Sequence, residues 1–316
     1  MAKEIAMNIL VLVPANDEHK ATLEAAAPEA SFVYTSPGAA TDEEVAAADV
    51  IVGNLAADRL GATTRLRLIQ LNSAGYDDYV AAGTLPAGAA LCCATGAYGQ
   101  AVSEHLFASV LAVMKKLPGY RDLQRGRRWG DLGEVRSPAG ANVLVIGAGD
   151  IGTHIATLFA AVGSHVTGVR RSPVAAESPF ERMATMDELA ELLPETDVVA
   201  SVLPSTPQTR GLADAGFFAR MKEGAIFANA GRGDLVNQSA LLSALQSGHL
   251  AGAALDVCAP EPLPGDDALW TAPNLLLTPH VSGFYHLPVT LDNIVSIAAG
   301  NIRALLSGDE LRNRVL

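Results

Sequence analysis

The sequence predicts an α/β protein made of two Rossmann-like or flavodoxin-like domains, each built on a parallel sheet, with a cleft between them. Three observations carry this expectation. Short apolar runs alternate with helix-compatible segments along nearly the whole chain, the pattern of parallel sheets covered on both faces. One glycine-rich turn, in Asn142 to Thr153 (NVLVIGAGDIGT), has the spacing of a dinucleotide-binding loop. The 316 residues are enough for two substantial cores.

Val143 to Ile146 reads as a buried strand running into that turn. Gly147 permits the tight turn, Gly149 lets the backbone approach a pyrophosphate, and Gly152 lets the new helix pack closely on its strand. The first-turn N–H groups of that helix then aim at the phosphates. Glycine turns are common, so the fingerprint alone is weak; the strand before it, the helix after it and a second strand at His165 to Val169 give it weight. At the end of that second strand an acidic residue would bond the adenosine ribose. The chain instead has Arg170, Arg171 and Ser172. Two cations suit a 2′-phosphate, so NADP is favoured, with NAD as the alternative; their other reading is a pair of solvated surface arginines.

Charged residues are 18% and hydrophobic residues 49%, which separates the chain from disordered ones. A formal charge of −12 without a Lys/Arg run argues against nucleic acid as a partner. No run of about twenty apolar residues predicts a membrane span, and a cytoplasmic protein is expected. Cys92, Cys93 and Cys258 make no disulfide framework, and the adjacent pair reads as buried reduced thiols. Neither CxxC nor HExxH occurs, so there is no sequence argument for a metal.

In chain order, Asn8 to Val13, Asp49 to Val52, Leu68 to Leu71 and Ala90 to Ala94 are strand signals of a first unit. Gln100 to Leu117 has helical periodicity, with Val102, Leu106, Val110 and Met114 on one face, and Pro118-Gly119 should stop it. The polar stretch Tyr120 to Gly140 reads either as a solvated loop or as a subunit contact. Strands are then expected at 143–146, 165–169, 197–203, 225–229, 252–256 and 274–278, the doubly wound dinucleotide-binding pattern. Leu287 to Leu306 is a helix expected to pack back on the first unit. The domains are therefore 1–98 plus 286–316, and 99–285.

Three polar groups fall at predicted strand ends, where open α/β sheets bind ligands. Arg232 lies between two glycines in Asn229-Ala-Gly-Arg-Gly-Asp234 and can present a forked cation to a carboxylate. Asp256 ends a strand, and Glu261 follows between two prolines. His280 closes the last strand in Thr278-Pro279-His280. Singly, these read as a surface arginine, a turn glutamate and a histidine satisfying a loop. Together they supply a cationic anchor, a carboxylate and a titratable imidazole, the parts needed for acid–base work on an oxo acid.

With these motifs the chain resembles the D-isomer-specific 2-hydroxyacid dehydrogenase family over nearly its full length. The resemblance rests on GAGDIG at 147–152, LPSTPQT at 203–209, ANAGRGDLVN at 228–237, GAALDVCAPEPLP at 252–264 and NLLLTPH at 274–280, with Ser103-Glu104-His105 and Asn72-Ser-Ala-Gly75 in support. It implies that Arg232 binds the substrate carboxylate and carbonyl, that His280 is the proton donor and acceptor, and that Glu261 pairs with it. Asp256 would face the nicotinamide end of the coenzyme. Asp150, Ile151, Leu203, Pro204, Thr209 and Ala230 would join the coenzyme site, while backbone N–H groups near Ala74 and Gly75 would hold the substrate. The implied activity is hydride transfer between NAD(P)H and a small 2-oxo or D-2-hydroxy acid, of the glyoxylate or hydroxypyruvate reductase kind, in a homodimer. A phosphoglycerate dehydrogenase-like NAD enzyme and a non-catalytic NAD(H)-sensing corepressor are the alternatives.

Overall fold

The computed structural model describes residues 7–172 and 174–316. The chain divides into two compact units, Met1–Tyr98 with Tyr285–Leu316, and Gly99–Phe284. In the first, β1 (Asn8–Val11), α1 (Asp17–Glu24), β2 (Ser31–Tyr34), α2 (Asp42–Ala47), β3 (Val50–Val52), β4 (Leu68–Gln70), α3 (Asp77–Ala82) and β5 (Ala90–Cys92) alternate. Among the described residues they form a five-stranded parallel sheet, β2-β1-β3-β4-β5. Val50, Ile51, Val52 and Leu68 are wholly buried, as central parallel strands must be. Cys92 and Cys93 are buried and reduced. Burial pushes the Cys92 thiol up to about 11, so it stays neutral.

The second unit opens with α4 (Gly99–Met114) and α5 (Leu117–Arg125). Val102, Leu106, Val110 and Met114 are buried along α4. The helix stops at Met114, three residues before the expected Leu117, and a Lys116 with φ 56° leads into α5. Pro118 begins a helix here and does not end one, because the first turn does not need its missing N–H. Part of the expected loop from Tyr120 is therefore helical.

Next come β6 (Asn142–Ile146), α6 (Asp150–Ala161), β7 (His165–Arg170), β8 (Arg182–Thr185), α7 (Leu189–Leu192), β9 (Val198–Ser201), α8 (Ala215–Arg220), β10 (Ile226–Asn229), α9 (Gln238–Gln246), β11 (Gly252–Leu255) and β12 (Leu275–Leu277). Among the described residues the sheet has seven parallel strands, ordered β12-β11-β10-β9-β6-β7-β8, one more than expected. The additional strand, β8, lies at an edge and is only partly buried, so no apolar run announced it; β2 in the first sheet escaped for the same reason. Strand order reverses between β6 and β9, the switch point at which doubly wound sheets bind ligands.

The chain returns to the first unit through α10 (Pro288–Ser307). This is the one described helix long and apolar enough to cross a membrane. Its Ile294, Val295, Ala298 and Ile302 are buried against the core residues of β1, β3 and β4. Asn301, 1% exposed, donates to Gln70 Oε1 at 2.6 Å and Arg312 O at 2.9 Å, and accepts Arg312 N–H at 2.8 Å. Asn301→Leu strands these buried groups and should destabilise the protein by about 3 kcal/mol, read as a lower urea midpoint. The final residues run antiparallel along β5, with Val315 N–H donating to Leu91 O at 2.7 Å and Cys93 N–H to Asn313 O at 3.1 Å. That segment covers the edge of the sheet.

Candidate functional site

At the carboxyl end of β6 the chain makes the predicted glycine turn. Gly147 has φ 103°, a left-handed backbone that disfavours a side chain, and the N–H groups of Gly147 and Ala148 both reach Val169 O. A Cβ on Gly152 would lie 2.2 Å from Gly147 O, so α6 can sit this close only with glycine there. No side chain caps α6 at Gly149, and a Cβ there would meet nothing within 4 Å. The first-turn N–H groups of Asp150 and Ile151 are thereby left for an anion, beside an open face that a pyrophosphate can approach. Arg170, Arg171 and Ser172 are exposed at the end of the neighbouring β7. These features fit a phosphorylated dinucleotide.

The loop after β9 is closed by Thr209, whose hydroxyl donates to Pro204 O at 2.6 Å and accepts Thr206 N–H at 2.8 Å. Leu203 lies against the loop after β10: a Cβ on Gly231 would be 2.4 Å from Leu203 O, and Ala230 N–H donates to Ser201 O at 3.0 Å. Two bonds from the buried Asn229 shape the Arg232 segment, its Nδ2 donating to Arg232 O at 2.9 Å and its Oδ1 accepting Gly231 N–H at 3.1 Å. On the other side, a Cβ on Gly233 would be 2.0 Å from Cys258 O. Arg232 is thus held between the loops after β9 and β11.

Glu261 and His280 meet. His280 Nδ1 lies 2.8 Å from Glu261 Oε2, while Glu261 Oε1 accepts Cys258 N–H at 3.0 Å. An ionised carboxylate only accepts, so Nδ1 carries the proton and Nε2 is left to exchange one with a substrate. Burial, then the Glu261 charge, pushes the Cys258 thiol up, which keeps it from acting as a thiolate. His280 has φ 54°, a conformation that costs a residue with a Cβ about 1–2 kcal/mol. Asp256, 2% exposed, offsets that cost. Its carbonyl accepts His280 N–H at 2.6 Å, and its carboxylate accepts the Val281 N–H at 3.0 Å and the Ser282 N–H at 3.1 Å.

In the first unit, Ala74 and Gly75 follow β4. Asn54 and Asn72 bond each other's backbone, at 2.7 Å from Asn54 N–H and 3.0 Å from Asn72 N–H. Ser73 donates to Gly75 O at 2.6 Å, and the Tyr98 hydroxyl donates to Asn72 O. Among the described residues the N–H groups of Ala74 and Gly75 have no acceptor within the protein. The predicted residues of the second unit thus gather at the carboxyl ends of β6, β7, β9, β10, β11 and β12, while Ala74 and Gly75 belong to the other unit. Asn229 and Asn72 were read only as members of the motifs ANAGRGDLVN and Asn72-Ser-Ala-Gly75 with no role of their own, and Asn54, beyond Gly53 after β3, was not singled out.

Residues 107–282 match the family model for the NAD binding domain of D-isomer specific 2-hydroxyacid dehydrogenases. The glyoxylate/hydroxypyruvate reductase A of Serratia proteamaculans is 32% identical over 228 residues, covering 72% of this chain and 71% of that protein. A D-isomer specific 2-hydroxyacid dehydrogenase family protein from Aeromonas salmonicida has a similar structure, with TM-score 0.87 at 31% identity over 99% of both chains. So does an NADPH-dependent glyoxylate/hydroxypyruvate reductase from Sinorhizobium meliloti, solved with NADP and sulfate, with TM-score 0.81 at 26% identity over 98% of both chains.

Proposed function

Because the chain belongs to the D-isomer specific 2-hydroxyacid dehydrogenase family, we propose that it reduces small 2-oxo acids of the glyoxylate and hydroxypyruvate kind with NADPH. It is an NAD(P)-linked oxidoreductase, and the observation that carries the reading is the His280–Glu261 pair, 2.8 Å apart, in the same unit as Arg232 and the glycine turn.

The coenzyme, when bound, supplies the hydride that reaches C2 of the oxo acid. As charge develops on the carbonyl oxygen, the Arg232 guanidinium stabilises it. His280 delivers the proton from Nε2, and Glu261 holds the ring through Nδ1. The N–H groups of Ala74 and Gly75, which have no acceptor among the described residues, suit a carboxylate, and we assign the first unit to substrate and the second to coenzyme. When the coenzyme is bound, Asp150, Ile151 and the loop at Leu203, Pro204 and Thr209 would hold it, with Ala230 and Asp256 toward its nicotinamide end. The protein acts as a cytoplasmic homodimer, residues 120–140 providing contact surface; Trp129 there is fully exposed, an unusual state for so large an apolar side chain.

Steady-state assays with glyoxylate, hydroxypyruvate, pyruvate and a bulkier 2-oxo acid, each with NADPH and NADH, test the proposal. Turnover with NADPH well above NADH is expected. Coenzyme binding with no turnover of any of these acids overturns it in favour of a nucleotide sensor. Replacing Arg170 with aspartate should lower kcat/KM for NADPH relative to NADH by about 10- to 100-fold, the worth of a charge-assisted bond to a 2′-phosphate. An unchanged ratio removes Arg170 from coenzyme choice.

A further inference from the structure

A chain of hydrogen bonds connects α4 to the turn that carries His280. The Asp256 carboxylate takes four donors, all from residues 278–282. They are the Thr278 hydroxyl at 2.6 Å and Val281 N–H at 3.0 Å on Oδ1, and the Ser282 N–H at 3.1 Å and hydroxyl at 2.5 Å on Oδ2. Its lone pairs are then fully used. Behind Thr278 lies His105, whose Nε2 is 3.0 Å from the threonine hydroxyl and 3.7 Å from Asp256 Oδ1. A threonine hydroxyl has one proton, and here it is committed to the carboxylate. The contact with His105 therefore has the imidazole as donor and the hydroxyl oxygen as acceptor, which sets the Nε2–H form of the ring.

We propose that His105 is a positioning residue for proton transfer. Its Nε2–H holds the Thr278 hydroxyl toward Asp256, and Asp256 holds the left-handed turn that presents His280. The argument rests on His280 being the proton donor, as proposed above. Four features support it. His280 stands at φ 54° between two residues, Thr278 and Val281, that are both bonded to the same buried oxygen. A backbone in that region persists only where its surroundings over-determine it. His105 stands beside the buried Val102 and Leu106 with its own side chain 26% exposed, so apolar packing does not account for the residue. Finally, a displacement of about 1 Å in a proton donor is enough to cost two orders of magnitude in rate.

The test compares His105→Leu, which keeps bulk and removes the donor, with His105→Gln, whose Nε2 stands the same number of bonds from Cα. Thr278→Val and Thr278→Ser form the matching pair. Two readouts are taken on the full-length protein: amide hydrogen exchange at Val281 and Ser282, and kcat alongside the coenzyme dissociation constant. His105→Leu and Thr278→Val should each speed exchange at those two amides about tenfold and lower kcat about tenfold, with coenzyme affinity within about twofold of wild type. His105→Gln and Thr278→Ser should stay within about threefold of wild type on both. Unchanged exchange and unchanged kcat in His105→Leu overturn the proposal. So does equal damage in the Leu and Gln variants with exchange accelerated throughout the second unit, which marks a purely structural role. Failure of the wild-type protein to reduce any 2-oxo acid defeats the dehydrogenase reading instead, while exchange at Val281 and Ser282 still judges the link from His105 to the turn.

Discussion

His280→Ala is expected to lose about a thousandfold in kcat for 2-oxo acid reduction while binding NADPH within about twofold of wild type. The separation follows from where the residues lie. His280 sits after β12, whereas the glycine turn and the Arg170 cluster sit after β6 and β7, four and five strands away in the same sheet. The imidazole is a general acid, and its partner Glu261 holds the ring through Nδ1 at 2.8 Å, which leaves Nε2 as the site of proton delivery. Alanine inherits the same φ 54°, so the backbone cost is carried over and folding is largely spared. Steady-state kinetics and a fluorescence titration with coenzyme check both halves. Full residual turnover would remove His280 from the chemistry.

Gly233→Ala should be the most damaging single methyl in the site. Its Cβ would stand 2.0 Å from Cys258 O and 2.1 Å from Cys258 C, backbone atoms that cannot swing aside as a side-chain tip can. Something must shift, and the segment that shifts includes the Cys258 N–H that holds Glu261 Oε1 at 3.0 Å. Two effects are expected together: roughly 1–3 kcal/mol of lost stability from overpacking, and about a hundredfold lower kcat as the Glu261–His280 pair and Arg232 move apart. Gly149→Ala is the comparison, since a Cβ there meets nothing within 4 Å. It should keep the wild-type urea midpoint and lose coenzyme affinity. A Gly233→Ala protein with wild-type kcat would show that the close approach of these two loops does not matter to the reaction.

Much of this was legible in the sequence, for reasons that particular residues make plain. Val143 to Ile146 is an unbroken apolar run because a central parallel strand is buried on both faces. Gly147 and Gly152 had to be glycine for local steric reasons, and local reasons are what a sequence records best. The failures are of two kinds. β2 and β8 lie at sheet edges, where one side faces solvent and the pattern fades. Pro118 was ambiguous, since proline both ends one helix and begins the next, and only the left-handed Lys116 before it resolves the matter. Glu261 and His280 could be paired only through the family resemblance, and the link between His105 and Thr278, both quoted within motifs, was not legible. His105 and Thr278 are 173 positions apart, and no periodicity connects them. Nor did Thr-Pro-His-Val, which lacks glycine, signal a left-handed backbone at His280.

The closing segment of the chain has a consequence for biosynthesis. The first unit is begun by residues up to Tyr98 but completed only by α10 and the strand-like tail to Leu316 along β5. The whole of Gly99–Phe284 is made in between. At 5–20 residues per second, translating that insertion takes roughly 10–40 s. Throughout that interval the nascent first unit has the surface destined for Ile294, Ala298 and Ile302 uncovered and the edge of β5 unpaired, and at its end the second unit has every residue of its own core while the first still lacks α10. Of the two units, the one begun earlier along the chain is therefore the one completed later.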